Sequence, residues 1–280
     1  MSLRCLERLV VGLILLASIA AHAAGELRIC ADPDNLPYSR SDGTGFENRI
    51  AAVVARAMDA TPVFVWLPQG HGYVRKTLNA GVCDVIVGVP EGFDPVRTTR
   101  PYYRSMYVAV TRQPDPRFGD FADPHLRDVT IGVQLVGDDL AATPPGHALA
   151  QHALIENVRG YTVYGDGRQG ERMVRDLARG TIDVALIWGA QGGYFAGKAA
   201  VPLRVSPLAQ PPDLPNVPFE YSIAMGVRKR DAALAAELDA ALDRSRAAVD
   251  AILAEYRVPR TDVPSAASAA ATARYAEHAR

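Results

Sequence analysis

A helix end, a glycine, an aspartate and an apolar strand follow one another twice in this chain, in the same order and spacing. Leu78-Asn79-Ala80-Gly81-Val82-Cys83-Asp84 leads into Val85-Ile86-Val87, and Leu177-Ala178-Arg179-Gly180-Thr181-Ile182-Asp183 leads into Val184-Ala185-Leu186. Glycine suits the left-handed position that closes a helix, and an unbroken apolar run suits a parallel strand buried on both faces. A unit of this kind occurring twice predicts two similar α/β lobes, each a mostly parallel sheet flanked by helices. Two such lobes make a cleft, and a cleft is a place of capture.

The rest of the chain fits around these units. Residues 27–31 predict a first strand, and Gly45-Phe46-Glu47 opens a helix through Met58, with Ile50, Val53, Val54 and Ala57 at helical spacing. Strands at 63–67 and 84–89 flank a helix at 71–80, and a further strand runs over 102–111. Gln113-Pro114-Asp115-Pro116 then marks a change of texture, read as the crossing into lobe two. There strands at 130–135, 161–164 and 181–188 alternate with helices at 147–157 and 171–179, the pattern of a parallel sheet under helices. A strand at 219–227 returns to lobe one, and a long helix spans 231–256 with Leu234, Leu238 and Leu242 four apart. The expected division is therefore lobe one at 24–110 and 219–262, lobe two at 111–218, a two-strand hinge between them, and a flexible alanine- and serine-rich tail at 263–280.

At the N-terminus Arg4 and Arg8 precede an apolar run from Leu9 to Ala21, and Ala21-His22-Ala23 has the small-x-small form of a signal peptidase site. The run is shorter than the roughly 20 residues of a membrane-spanning helix, so a signal peptide cleaved near Ala23 and export to the periplasm are expected. A retained anchor is the competing reading. Without residues 1–23 the net charge is about −2, too balanced to point to nucleic acid or an anionic lipid surface as partner, and no membrane insertion is expected after cleavage. Cys30 and Cys83 then remain. An oxidising compartment favours a disulfide between them, whereas two small buried apolar residues explain them equally well, since Cys83 takes the place of Ile182 in the repeat.

Cys30-Ala31-Asp32-Pro33, Leu36-Pro37-Tyr38, Gly45-Phe46-Glu47-Asn48 and Thr98-Thr99-Arg100-Pro101-Tyr102-Tyr103 resemble family-3 periplasmic solute-binding proteins. Ile131-Gly132-Val133-Gln134, Gly180-Thr181-Ile182-Asp183 and Met225-Gly226-Val227-Arg228 carry the resemblance across both lobes. Asp138-Asp139 with Thr143-Pro144-Pro145-Gly146-His147, and Ile187-Trp188-Gly189 with Gly193-Tyr194-Phe195-Ala196, are similar to the quinoprotein-dehydrogenase-associated branch. That branch includes the J proteins encoded beside methanol dehydrogenases. The resemblance implies the type II two-lobed binding-protein fold.

It also sets the candidate site. Arg97 falls where the family keeps an arginine that clamps a substrate carboxylate, although a surface arginine explains it as well. Lobe two of the family supplies an aspartate for the ligand's ammonium group, and Trp188 stands at that position here. An aromatic platform residue is replaced by Asn35. Cleft candidates are thus Asn35, Tyr38, His71, Arg97, Trp188 and Tyr194, with Phe195 beside them; each has packing as its competing role. Gln69-Gly70-His71-Gly72 is glycine-flanked at a helix start, which allows close backbone approach or simply caps the helix. Asp138-Asp139 reads as a solvated acidic turn, because calcium requires about six or more oxygens.

No CxxC, HExxH, GxSxG or phosphate loop occurs, and the histidines do not cluster at ligand spacing, so no catalytic residue, metal or cofactor is expected. The resemblance implies a non-enzymatic periplasmic accessory protein of a PQQ-dependent methanol or alcohol dehydrogenase, with that dehydrogenase and its c-type cytochrome as partners. Loops at 138–145 and 211–218 are the candidate contacts. The alternative is the substrate-binding protein of an ABC transporter for a non-standard solute, a carboxylate with apolar or aromatic bulk.

Overall fold

A computed structural model describes residues 25–115, 118–136, 141–163 and 168–261. The expected signal segment, the Asp138-Asp139 turn and the tail from 263 lie outside the described residues.

Lobe one begins with β1 (Glu26–Ala31), a small ribbon of β2 (Asp34–Asn35) and β3 (Ser39–Arg40), and α1 (Phe46–Ala57). It continues through β4 (Thr61–Trp66), α2 (Tyr73–Lys76), β5 (Val85–Pro90) and the short β6 (Arg97–Thr98). The long β7 (Tyr103–Arg112) leads to β8 (Ile131–Val136), β9 (Ala141–Ala142), α3 (Pro144–Gln151), β10 (Val158–Thr162), α4 (Gln169–Ala178), β11 (Val184–Trp188), α5 (Gly189–Ala196) and β12 (Leu203–Pro207). Finally β13 (Glu220–Val227) precedes α6 (Ala232–Arg244) and α7 (Arg246–Glu255).

The strand order is β10-β8-β11-β7-β13-β5-β1-β4. β1 pairs in parallel with β4 and β5, and β8 pairs in parallel with β10 and β11. Two antiparallel strands join these halves. Tyr103 to Arg104 and Ser105 to Met106 of β7 pair with Ile223 to Glu220 of β13, while Tyr107 to Thr111 pair with Trp188 to Val184 of β11. The change of partner within β7 therefore falls between Met106 and Tyr107, before the proline-rich segment that follows the strand. β13 makes the return crossing and continues along β5.

The sequence repeat has a physical reason. Gly81 and Gly180 both adopt positive φ, +72° and +77°, and each donates its N–H to the carbonyl three residues back, Leu78 and Leu177. Asp84 N donates to Arg28 O and Asp183 N to Thr130 O, both at 2.8 Å, which locks each repeated strand to its parallel neighbour. Their carboxylates return the bond: Arg28 N donates to Asp84 Oδ2 at 3.2 Å and Thr130 N to Asp183 Oδ2 at 3.0 Å. An arginine at the end of an antiparallel strand completes each knot. Arg228 Nη1 donates to Leu78 O and Cys83 O, and Arg112 Nη1 to Leu177 O and Ile182 O. The Nη2 groups of the same arginines reach Asp84 at 3.0 Å and Asp183 at 2.8 Å. Burial pushes the Asp84 carboxyl up, but hydrogen bonds from Arg28 and Arg228 outweigh it and hold the group below the usual carboxylate range.

Cys30 and Cys83 are both buried and bonded to each other, with Cα atoms 5.5 Å apart, which joins β1 to the loop before β5. Their disulfide and their burial are one arrangement rather than alternatives.

Three expected helices differ, and the strand expected at 161–164 lies earlier, at Val158–Thr162. The helix over 71–80 shrinks to α2, because Asn79 N reaches back five residues to Val74 O and the coil loosens into turns before Gly81. The helix over 147–157 starts earlier, since Pro144 and Pro145 fit a first turn that needs no N–H donors, and it stops where Ala153 turns to φ 52°. The helix over 231–256 breaks at Ser245 into α6 and α7, both packed on α1.

Candidate functional site

In open α/β sheets ligands sit in the crevice beyond the carboxyl ends of the strands. Here the ends of β1, β5, β8 and β11 open onto one cavity of about 460 Å³, floored by β7 and β13. That volume suits a small molecule.

The lobe-one wall is a hydrogen-bonded loop and a helix start. Asp32 accepts from the N–H groups of Asp34 at 2.9 Å and Gln69 at 2.6 Å, so both its oxygens are engaged by backbone. Asn35 Nδ2 donates to Gln69 Oε1 at 3.1 Å. Phe46 N bonds Pro37 O and Glu47 N bonds Tyr38 O, which fixes the first turn of α1 against this loop. Gly45 is required there, because a Cβ would overlap the Tyr38 carbonyl.

That turn delivers Glu47 to the cavity. Its carboxylate rests against Gly88 of β5, where a Cβ would overlap Oε1. Burial pushes its pKa from the ordinary 4.5 up to about 8, with no neighbouring charge to oppose the shift. The hydroxyls around it belong to Tyr38, Tyr73, Tyr102 and Tyr103, whose own pKa values burial raises, so they stay neutral. Among the described residues, Asp32 and Glu47 are the only carboxylic side chains lining the cavity, and no Lys, Arg or His lines it.

The lobe-two wall is built of amides and aromatics. Gln134, buried on β8, accepts from Trp188 N at 2.7 Å and donates to Gln191 Oε1 at 2.6 Å. This bond pins the end of β11 and the start of α5. The Trp188 ring lies edge-on to Tyr107 at 5.2 Å and to Tyr221 at 5.8 Å, so it touches both hinge strands. Gln169, at the first position of α4, is buried and lines the same cavity.

Of the residues expected from sequence, Asn35, Tyr38 and Trp188 meet in this cavity. The structure does not bring His71, Arg97 or Tyr194 to it. His71 is exposed in the turn before α2. Arg97 is exposed on β6, paired with Val227, and its Nε donates to Lys229 O at 3.0 Å. Tyr194 stacks on Tyr256 at 5.4 Å, joining α5 to the end of α7, and accepts a hydrogen bond from Lys198 Nζ at 2.7 Å. With Phe195 it borders a separate depression of about 660 Å³ that also includes Arg40, Arg175 and Lys198.

The sequence reading missed Glu47, Gln169 and Gln191 as cavity residues. Glu47 sat in a quoted motif, but a carboxylate in a first helical turn reads as an ordinary helix start. Of the expected contact loops, 211–218 is braced: Gln210 Nε2 donates to Leu214 O and Val217 O, and its Oε1 accepts from Phe219 N. Among the described residues no group of three or more His, Cys, Asp or Glu is placed to hold a metal ion, and no helix is long and apolar enough to cross a membrane.

No family model matches the chain. It is 35% identical over 260 residues to Protein MoxJ of Methylorubrum extorquens, covering 87% of this chain and 84% of the relative. Protein MoxJ of Paracoccus denitrificans is 31% identical over 255 residues, covering 87% of this chain and 92% of the relative. Among solved structures, the periplasmic binding protein XoxJ from Methylobacterium extorquens AM1 superposes with a TM-score of 0.71 at 34% identity, over 85% of this chain and 100% of that one.

Proposed function

The chain belongs to the MoxJ family of periplasmic binding proteins, and from that membership we propose that it is a non-enzymatic periplasmic accessory protein of a PQQ-dependent methanol or alcohol dehydrogenase. The dehydrogenase, with its c-type cytochrome, is the partner, and the binding-protein scaffold serves its assembly, activation or docking.

The observation that carries this reading is the seat of Trp188. Amino-acid receptors of the wider fold need a carboxylate there for the ammonium group and an arginine for the ligand carboxylate. Here an indole occupies the first position, its backbone N–H held by Gln134 and its ring packed on both hinge strands, and Arg97 does not line the cavity but donates to Lys229 O. A scaffold that has neither ion partner at its usual seat, and no cation in the cavity lining among the described residues to meet a carboxylate, is not built for free amino acids. A transport receptor for a carboxylate solute loses support for the same reason, since among the described residues the cavity is lined by carboxyl groups and by no basic side chain.

Crosslinking in the periplasm tests the proposal. The full chain is captured, and the bound proteins and small molecules are identified by mass spectrometry. A quinoprotein dehydrogenase subunit is expected in the bound fraction. Capture of a transporter permease with no dehydrogenase subunit overturns the reading.

A further inference from the structure

The cavity has a sign and a wall chemistry. It is lined by two carboxylates and, among the described residues, no Lys, Arg or His. Asp32 spends both oxygens on backbone N–H groups, which leaves Glu47 as the group facing a guest. Among the described residues no side-chain hydrogen bond or ion pair engages the Glu47 carboxylate, and it lies among neutral phenols. A half-buried carboxylate in such surroundings is destabilised as the anion, and the cost is relieved by a cation or by a bound proton.

A second, independent observation comes from lobe two. Gln169 is only 2% exposed, lines the cavity and has no side-chain hydrogen-bond partner among the described residues. Gln191 is equally buried, lines the same cavity and gives its oxygen to Gln134, and its NH2 group makes no hydrogen bond to another described residue. Buried amides are normally satisfied, so amides that line a cavity with groups unpaired among the described residues offer donors and acceptors to a guest that hydrogen-bonds. Between these polar ends stand Tyr103, Tyr107, Trp188 and Tyr221, whose ring faces attract positive charge.

We infer that the cleft binds a small organic cation, an amine without a carboxylate, whose ammonium group is held by Glu47 while its body lies on the aromatic wall and its polar end meets Gln169 and Gln191. Binding is coupled to a proton: an ammonium group that meets Glu47 displaces the proton the empty site holds near neutral pH, and that proton leaves to solvent. The inference rests on the cavity alone, so its failure leaves the dehydrogenase association untouched, and the reverse holds too.

The test is titration calorimetry of the full chain with two matched charge series: benzylamine, benzyl alcohol and benzoate, then butylamine, butanol and butyrate. The amines are expected to bind at least about tenfold tighter than the alcohols, with the carboxylates weakest. Near pH 7 the heat of amine binding is expected to vary with the ionisation enthalpy of the buffer, reporting about one proton released per ligand. Glu47→Gln, checked as folded by circular dichroism, is expected to weaken amine binding about tenfold or more, to abolish that buffer dependence, and to change alcohol binding less than about twofold. A carboxylate binding as tightly as its matched amine overturns the inference. So does an E47Q variant that binds amines like the parent, or the absence of amine binding up to about 10 mM.

Discussion

Replacing Glu47 by glutamine is expected to make this protein more stable at alkaline pH and to leave it unchanged in acid. The folded-state pKa is about 8 against an ordinary 4.5, so between these values the native state holds a proton that the unfolded chain has released. Stability falls with rising pH wherever the native state binds more protons. The group's contribution is thus fully present below about pH 4.5, is lost progressively up to about pH 8, and stays lost above it. At about 1.4 kcal/mol per pH unit the full span is worth roughly 5 kcal/mol, and access of water to the cavity reduces it to about 2 kcal/mol. Glutamine keeps the shape and has no charge to bury. The assay is urea unfolding of both proteins from pH 4 to pH 9, followed by far-ultraviolet circular dichroism. Because every other titrating group is shared, the difference between the two curves isolates position 47. It is expected to be near zero at pH 4 and to reach about 2 kcal/mol in favour of E47Q at pH 9, a rise in Tm of about 4–8 °C. A pH-independent difference, or a parent more stable than E47Q at pH 9, refutes the reasoning.

Other outcomes follow from the same geometry. The double variant Cys30→Ala/Cys83→Ala opens a loop of 53 residues, and the chain-entropy relation gives a loss of about 4 kcal/mol, read by urea unfolding against the oxidised parent. Arg228→Ala is expected to cost about 2 kcal/mol, because it strips a cation from the half-buried Asp84 carboxylate and a donor from Leu78 O and Cys83 O. Arg112→Ala is expected to cost less, since its pair with Asp183 is more exposed, and comparing the two variants by denaturation ranks the knots. Gly193→Ala places a Cβ onto Arg257 O and is expected to lower stability by about 1–3 kcal/mol, measured as a drop in Tm.

The repeated unit was legible because each part of it acts locally: a glycine that stops a helix, an aspartate beside the next strand, and an apolar run. The arginines that complete it were not. Arg112 lies 71 positions from Asp183, and Arg228 lies 144 from Asp84, so only the antiparallel crossings bring them home. The break at Ser245 was hidden for a different reason. Ala235, Leu238, Leu242, Val249 and Ile252 stay in phase across it, so one bent stripe and one straight stripe read alike. β12 escaped because an edge strand of half-buried residues shows no alternation. In the site, Trp188 could be located by counting along the repeat, whereas its grip on Tyr107 and Tyr221 depends on which strands the hinge uses. Arg97 was misplaced because a position in a motif does not say which way a two-residue strand turns its side chains.

Aligning the two repeats shows where the lobes part company. With Asp84 set on Asp183, Gly88 matches Ile187 and Val89 matches Trp188. The knots are shared, and the differences begin at the cavity. Lobe two puts an indole at its strand end, while lobe one deletes a side chain and so makes the seat in which the Glu47 carboxylate lies. Gly88 is therefore a site residue by virtue of what it lacks. Gly88→Ala should displace the end of a flexible side chain rather than backbone, so the fold survives and the carboxylate moves toward water in the cavity. Its pKa then falls toward the ordinary range, and the alkaline loss of stability shrinks from about 2 to less than about 1 kcal/mol. The expected pattern is a G88A protein whose stability varies less steeply between pH 5 and pH 8 than the parent's, with the slope unchanged when E47Q is added. A G88A profile as steep as the parent's would mean that the glycine seat is not what sets the ionisation of Glu47.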